Sequence, residues 1–145
     1  MKTSLLIMLI VAMPCLPSGA QSPDEKKPVS EAQAVEPKNV TPEELENLVK
    51  ENPKIVILDI RMPAEYETGH ISGAININAL DRKFEEHIGK LDRNTPVLIY
   101  GGTSGRSTQA LPKFAQLKFL RIYHLNSGLR GWMDAGKPTV TGEKK

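Results

Sequence analysis

Four short apolar runs mark the chain: Ile55 to Ile60, Ala74 to Ile77, Val97 to Tyr100 and Arg121 to Leu125. The first and third are apolar at successive positions, as in strands covered on both faces. Segments of helical character lie between the runs: Pro63 to Thr68, stopped by Gly69; about Leu80 to Leu91, with Phe84, Ile88 and Leu91 on one face; and Ser107 to Lys118. Pro112 interrupts the last of these and is expected to kink that helix or shift its start, because its ring removes a backbone donor. A further helix opens at Thr41, with Pro42 at its first position and Glu44 completing a capping box, and Leu45, Leu48 and Val49 form its apolar stripe. Strands alternating with helices predict an α/β fold, a central and mainly parallel sheet with helices on both faces.

The N-terminal segment reads differently. Lys2, an apolar run from Leu5 to Met13 and the small residues Ser18, Gly19 and Ala20 have the form of an export signal cut after Ala20. That run of nine residues is too short for a membrane-spanning helix, so no stable span is expected after processing. The expected location is exported, periplasmic or extracellular. Met13 and Pro14 before Cys15 do not resemble a lipidation site. Residues 21–40 hold three prolines, mixed charge and no aromatic side chain, the composition of a spacer. The expected domain covers residues 41–140, with a short tail at 141–145.

Composition narrows the function classes. In 145 residues, 19 Lys+Arg stand against 17 Asp+Glu, a net charge of +2 that provides no concentrated basic field for nucleic acid. Cys15 is the single cysteine, which excludes an internal disulfide and a cysteine-based zinc site; removal of residues 1–20 leaves no thiol. His70, His87 and His124 show no helix-face spacing for a metal, and no cofactor is expected.

Two stretches carry candidate chemistry. LDIRMPAEYETGHISGAININ, Leu58 to Asn78, gathers Asp59, Arg61, Glu65 and His70 around a strand end and a short helix. Such a cluster is either a structural ion-pair network or part of a catalytic site, and His70 suits a turn histidine that ties down backbone. VLIYGGTSGRST, Val97 to Thr108, runs from a buried strand through a glycine-rich turn into a helix. Turn amides and a helix N-terminus together suit an anion. The candidate anion loop is Gly101, Gly102, Thr103, Ser104, Gly105 and Arg106, the alternative being a plain strand-to-helix turn. It lacks the Gly-Lys-Ser/Thr ending of a nucleotide P-loop and the Gly-x-Gly-x-x-Gly dinucleotide pattern.

Together the two stretches resemble rhodanese-like domains. Asp59, Arg61, Glu65, Tyr66, Gly69, His70, Ile71, Gly73 and Ala74 are similar to the family's entry motif. Leu125, Gly128, Trp132, Ala135, Gly136 and Pro138 resemble its closing segment, with Ser127 where a glycine is usual, and the resemblance covers about Thr41 to Thr139. It implies a small, mainly parallel α/β unit that carries sulfur as a persulfide on a cysteine opening a six-residue cradle, typically Cys-Arg-Ser-Gly-x-Arg. In that register Gly101 occupies the cysteine position, Gly102 the first arginine, Thr103 the serine, Ser104 the glycine, Gly105 the variable residue and Arg106 the closing arginine. The loop has the sulfurtransferase length, one residue shorter than in the phosphatase branch of the fold.

A persulfide requires a thiolate nucleophile, and glycine has no side chain. The resemblance therefore implies a non-catalytic module. One reading is a domain whose loop binds a small oxyanion or an acidic group of a partner. Another is a protein-docking module, with the spacer giving reach and Leu129 and Trp132 as an apolar anchor, although core packing is the favoured place for Trp132. The remaining alternative is a sulfurtransferase-related or phosphatase-like enzyme using an unrecognised group.

Overall fold

A computed structural model describes residues 35–142. The expected export signal with Cys15, the spacer before residue 35 and the last three residues of the tail lie outside them. The sheet has five parallel strands, β1 (Lys38–Val40), β2 (Val56–Asp59), β3 (Ile75–Asn76), β4 (Val97–Tyr100) and β5 (Ile122–Leu125), in the order β1-β5-β4-β2-β3. The helices are α1 (Pro42–Glu51), α2 (Pro63–Thr68), α3 (Phe84–Gly89), α4 (Ser104–Gln116) and α5 (Gly128–Asp134).

Alternation along the strands divides the interior into two cores. Ile57, Leu98, Tyr100 and Leu125 pack with Leu45 of α1, Tyr66 of α2 and Leu129 and Trp132 of α5. Leu58, Val97, Ile99 and Ile122 pack on the opposite face with Phe84 and Ile88 of α3 and Ala110 and Phe114 of α4. This agrees with central strands that read as apolar on both faces.

The Thr41 capping box forms as expected. The Glu44 amide donates to Thr41 Oγ1 at 3.2 Å, and the Thr41 amide donates to Glu44 Oε2 at 2.8 Å. Other boundaries move. The segment read as spacer to Val40 ends in β1, whose pairing with β5 places Asn39 opposite His124. An edge strand of three residues has too little periodicity to register in the sequence. The helix expected from Leu80 shortens to α3, because Asn78 Oδ1 accepts the Leu80 amide at 3.0 Å and Asp81 Oδ1 accepts the Lys83 amide at 2.8 Å. Such side-chain bonds to local backbone compete with helix. α4 begins three residues before Ser107 and contains Pro112, which is exposed, so the lost main-chain bond falls on the solvent side. Lys118 follows α4 at a φ of 62°, and the Phe119 amide closes the helix on the Phe114 carbonyl at 3.2 Å.

Candidate functional site

The glycine-rich loop lies at the C-terminal edge of the sheet, where β4 ends and α4 begins. Gly101 is buried, whereas Thr103, Ser104 and Gly105 are exposed. Thr103 takes the N-cap position with extended backbone and makes no side-chain capping bond. The first-turn amides of Ser104, Gly105 and Arg106 therefore have neither an intrahelical acceptor nor a Thr103 cap. The loop carbonyls turn the other way: Gly101 O accepts the Leu129 amide at 2.8 Å, and Gly102 O accepts the Arg130 amide at 3.1 Å. The first turn of α5 thus fixes one side of the loop and leaves its donor side open.

Gly128 makes this approach possible. Its φ is +64°, and a Cβ there would stand 2.7 Å from Gly102 O and 2.8 Å from Gly101 O. A Cβ on Gly101 would meet Thr103 O at 3.1 Å and the Ser107 amide nitrogen at 3.6 Å, and one on Gly102 would find only ordinary contacts.

Arg106 does not stand free above the loop. Its Nη1 and Nη2 donate to Glu65 Oε2 and Oε1 at 2.6 and 2.7 Å, a bidentate pair joining α4 to α2. Glu65 Oε2 also accepts the Met62 amide at 3.0 Å. The hydrogen-bonded Arg106 guanidinium, ahead of every other influence, holds the Glu65 carboxyl down at about 2. Glu65 thus offsets the charge of Arg106, which keeps three of its five N–H donors beyond the two bonds to Glu65. A cavity of about 190 Å³ beside this pair is bounded by Arg106, Gln109, Lys113, Leu80 and Phe84.

Asp59 and Arg61 form a fully enclosed pair beneath the rim. Arg61 Nη2 donates to Asp59 Oδ2 at 2.7 Å and to Gly69 O at 2.6 Å, while its Nε reaches Asp59 Oδ1 at 3.0 Å. Asn76 Nδ2 then ties the Asp59 and Arg61 carbonyls together at 3.0 and 2.9 Å. His70 stacks on Tyr66 with ring centroids 3.7 Å apart, and its Nδ1 lies 2.9 Å from Tyr66 O. Its backbone bridges to Val140 in both directions. Tyr100 Oη accepts the Ile71 amide at 3.1 Å, and burial, reinforced by Asp59, pushes its phenol far above the ordinary range. Asp59, Arg61 and His70 therefore brace the chain on either side of α2; Glu65 bonds the loop through Arg106, and Arg61 Cδ stands 3.8 Å from the position a Cβ on Gly102 would take.

The apolar-anchor reading of Leu129 and Trp132 is corrected, and the core position favoured for Trp132 is the one observed. Both are buried in the core, and the Trp132 indole N–H donates to Pro138 O at 2.8 Å. The helical period of α5 turns these two side chains toward the sheet, while Arg130 and Met133 are exposed.

Sequence reasoning missed one element of the site. Beneath the loop, His124 Nε2 lies 2.8 Å from Ser107 Oγ, and His124 Nδ1 lies 3.0 Å from Asn39 Oδ1. The available signal was strand alternation, which places His124 on the same face as Ile122, toward α4.

Comparisons with known proteins agree with this geometry. The rhodanese-like domain model matches residues 41–135. The chain is 30% identical over 109 residues to the probable adenylyltransferase/sulfurtransferase MoeZ of Mycobacterium tuberculosis, covering 75% of this chain but only 28% of that protein's length. It is 32% identical over 107 residues to the thiosulfate sulfurtransferase GlpE of Pseudomonas paraeruginosa, covering 72% of this chain and 92% of that one. The crystal structure of a rhodanese-related protein from Thermoplasma volcanium shares the fold at a TM-score of 0.63 and 24% identity, across 72% of this chain and 99% of that one. By its family match and by its five-stranded parallel sheet with the glycine-rich loop at the sheet edge, the chain belongs to the rhodanese-like domain family.

Proposed function

We propose that this chain is an exported rhodanese-like module without persulfide chemistry, whose β4–α4 loop binds a small oxyanion or an acidic group of a partner. The observation that carries this reading is Gly101, which heads the loop in the position the family resemblance assigns to the nucleophile. Sulfane transfer needs a thiolate to attack sulfur and hold it. The single cysteine of the sequence, Cys15, belongs to the segment read as an export signal. Thr103 and Ser104 provide hydroxyls, which store no persulfide.

Support for anion binding comes from the uncapped first turn of α4 and from loop carbonyls that are taken up by α5. Each exposed interaction at a helix terminus contributes about 0.3–1 kcal/mol, and several together reach about 4 kcal/mol, a millimolar affinity. The cavity beside Arg106 gives the loop a polar, concave flank, which suits a small anion better than a flat apolar contact. Incubation of the purified protein with thiosulfate and cyanide is expected to yield thiocyanate no faster than a heat-inactivated control. Turnover above that control would overturn the non-catalytic reading. Sulfate is expected to shift the amide NMR signals of Gly102 to Arg106, and unmoved signals would remove the anion reading.

A further inference from the structure

His124 is the buried ionisable group that the loop reading leaves without a role. It lies on β5 with Ile122 and faces α4. Ser107 Oγ, 2.8 Å from His124 Nε2, also donates to Ser104 O at 3.0 Å. Ser104 opens α4, and the Ser107 amide stands 3.6 Å from the position a Cβ on Gly101 would take. One hydroxyl therefore separates the imidazole from the loop floor.

The protons can be counted. Ser107 has one hydroxyl proton, and it goes to Ser104 O. Oγ must then accept from His124 Nε2–H, while Asn39 Oδ1 accepts from Nδ1–H at 3.0 Å. With Asn39 Oδ1 facing the ring, making all three bonds requires a doubly protonated, positively charged ring. A neutral ring meets the same three partners in one of two ways: Ser107 turns its proton from Ser104 to Nε2 and gives up the Ser104 bond, or the Asn39 amide rotates to donate its N–H to Nδ1 and all three contacts remain hydrogen-bonded.

Burial opposes the charged ring and lowers its proton affinity. The side chains bonded to or paired with it from β1, β4 and α4 are Asn39, Ile99 and Ser107, none of them charged. The ionisable residues on those elements are Lys38, Tyr100, Arg106 and Lys113. Lys38 is exposed, the Tyr100 hydroxyl bonds the Ile71 amide on the opposite face, and Arg106 and Lys113 pair with Glu65 and Glu85. A protonated His124 would thus lie under the positive end of α4 with no carboxylate to balance it.

We propose that His124 is proton-linked to the anion loop: an anion at the N-terminus of α4 supplies the countercharge that a protonated His124 lacks, so anion binding and proton uptake reinforce each other. This rests on the loop reading above. In the bound, protonated state Ser107 accepts from Nε2–H and keeps its own bond to Ser104 in the first turn of α4. Linkage makes the effect reciprocal.

Sulfate is the probe, titrated into the full chain against chloride of equal ionic strength so that screening is constant. NMR follows the His124 ring and the Gly102–Arg106 amides across about pH 4.5–7.5, the range of imidazole titration. Saturating sulfate is expected to raise the His124 midpoint by about one unit, and sulfate is expected to bind about tenfold more tightly below that midpoint than above it. His124→Asn, which keeps hydrogen-bonding capacity without titrating, is expected to flatten that dependence. Loop amides that respond to sulfate while the His124 midpoint stays fixed would overturn the linkage and leave the loop reading intact, as would an unchanged pH dependence in the variant. Loop amides that respond at no pH would remove both readings. Should His124→Asn fail to fold, the ring titration of the natural protein decides alone.

Discussion

The Leu129 amide donates to the Gly101 carbonyl at 2.8 Å, joining the first turn of α5 to the head of the anion loop. That contact depends on Gly128, where a Cβ would stand 2.7 Å from Gly102 O on backbone at a φ of +64°. Gly128→Ala is therefore expected to cost about 2 kcal/mol or more, through left-handed strain and collision with backbone that cannot turn aside. Urea unfolding checks this, and a loss below about 0.5 kcal/mol would show that α5 can move off the loop.

Restoring a thiol tests whether the scaffold survives around Gly101. A Cβ at this position meets Thr103 O at 3.1 Å, so the exposed Thr103 segment must give by a few tenths of an ångström. Gly101→Cys is expected to remain folded and to gain thiosulfate:cyanide sulfurtransferase activity, with its thiolate favoured by the amides at the start of α4. A folded variant with no turnover would show that the residues now at Gly102 and Ser104 no longer support the chemistry.

The Glu65–Arg106 pair predicts a pH-dependent contribution to stability. The folded carboxyl sits at about 2 against an ordinary value of 4.5, a depressed value. Its contribution is therefore fully present above about pH 4.5 and is lost as pH falls toward about 2. The pair is partly solvent-exposed, so Arg106→Gln is expected to cost only about 1 kcal/mol at neutral pH. Denaturant midpoints of variant and natural protein should converge as pH drops through this window. A gap that stays constant would show that Arg106 acts through packing alone.

The end of α4 provides a stabilising substitution. Lys118 holds a left-handed φ of 62° in the position where helices favour glycine, and its side chain is exposed. Lys118→Gly is expected to raise stability by about 1 kcal/mol, because glycine meets no Cβ penalty there. Thermal unfolding measures it, and a lower Tm would show that Lys118 makes a compensating contact.

Much of this molecule was legible in the residue pattern. The alternation from Val97 to Tyr100 specifies a strand with both faces covered, since each neighbouring side chain enters a different core. Thr41, Pro42 and Glu44 specify a helix start, because capping chemistry acts within a single turn. Gly101 to Arg106 were legible as a strand-to-helix turn for the same reason. Glu65 and His70 could be picked out as a cluster, but not their partners: pairing across 41 residues, as between Glu65 and Arg106, leaves no local periodicity.

The sequence by itself determined the α/β class, the strand and helix order from Thr41 to Leu125 and the side chains present at the loop, because these follow from local propensity and apolar period; α5 was not among the elements it marked. The tertiary structure alone decided that Glu65 offsets the charge of Arg106, that Leu129 faces the core, and that Asn39, His124 and Ser107 meet beneath the loop. Those outcomes depend on which strands become neighbours. Placing β5 between β1 and β4 brings Asn39 and His124 side by side, and only the assembled sheet creates that adjacency.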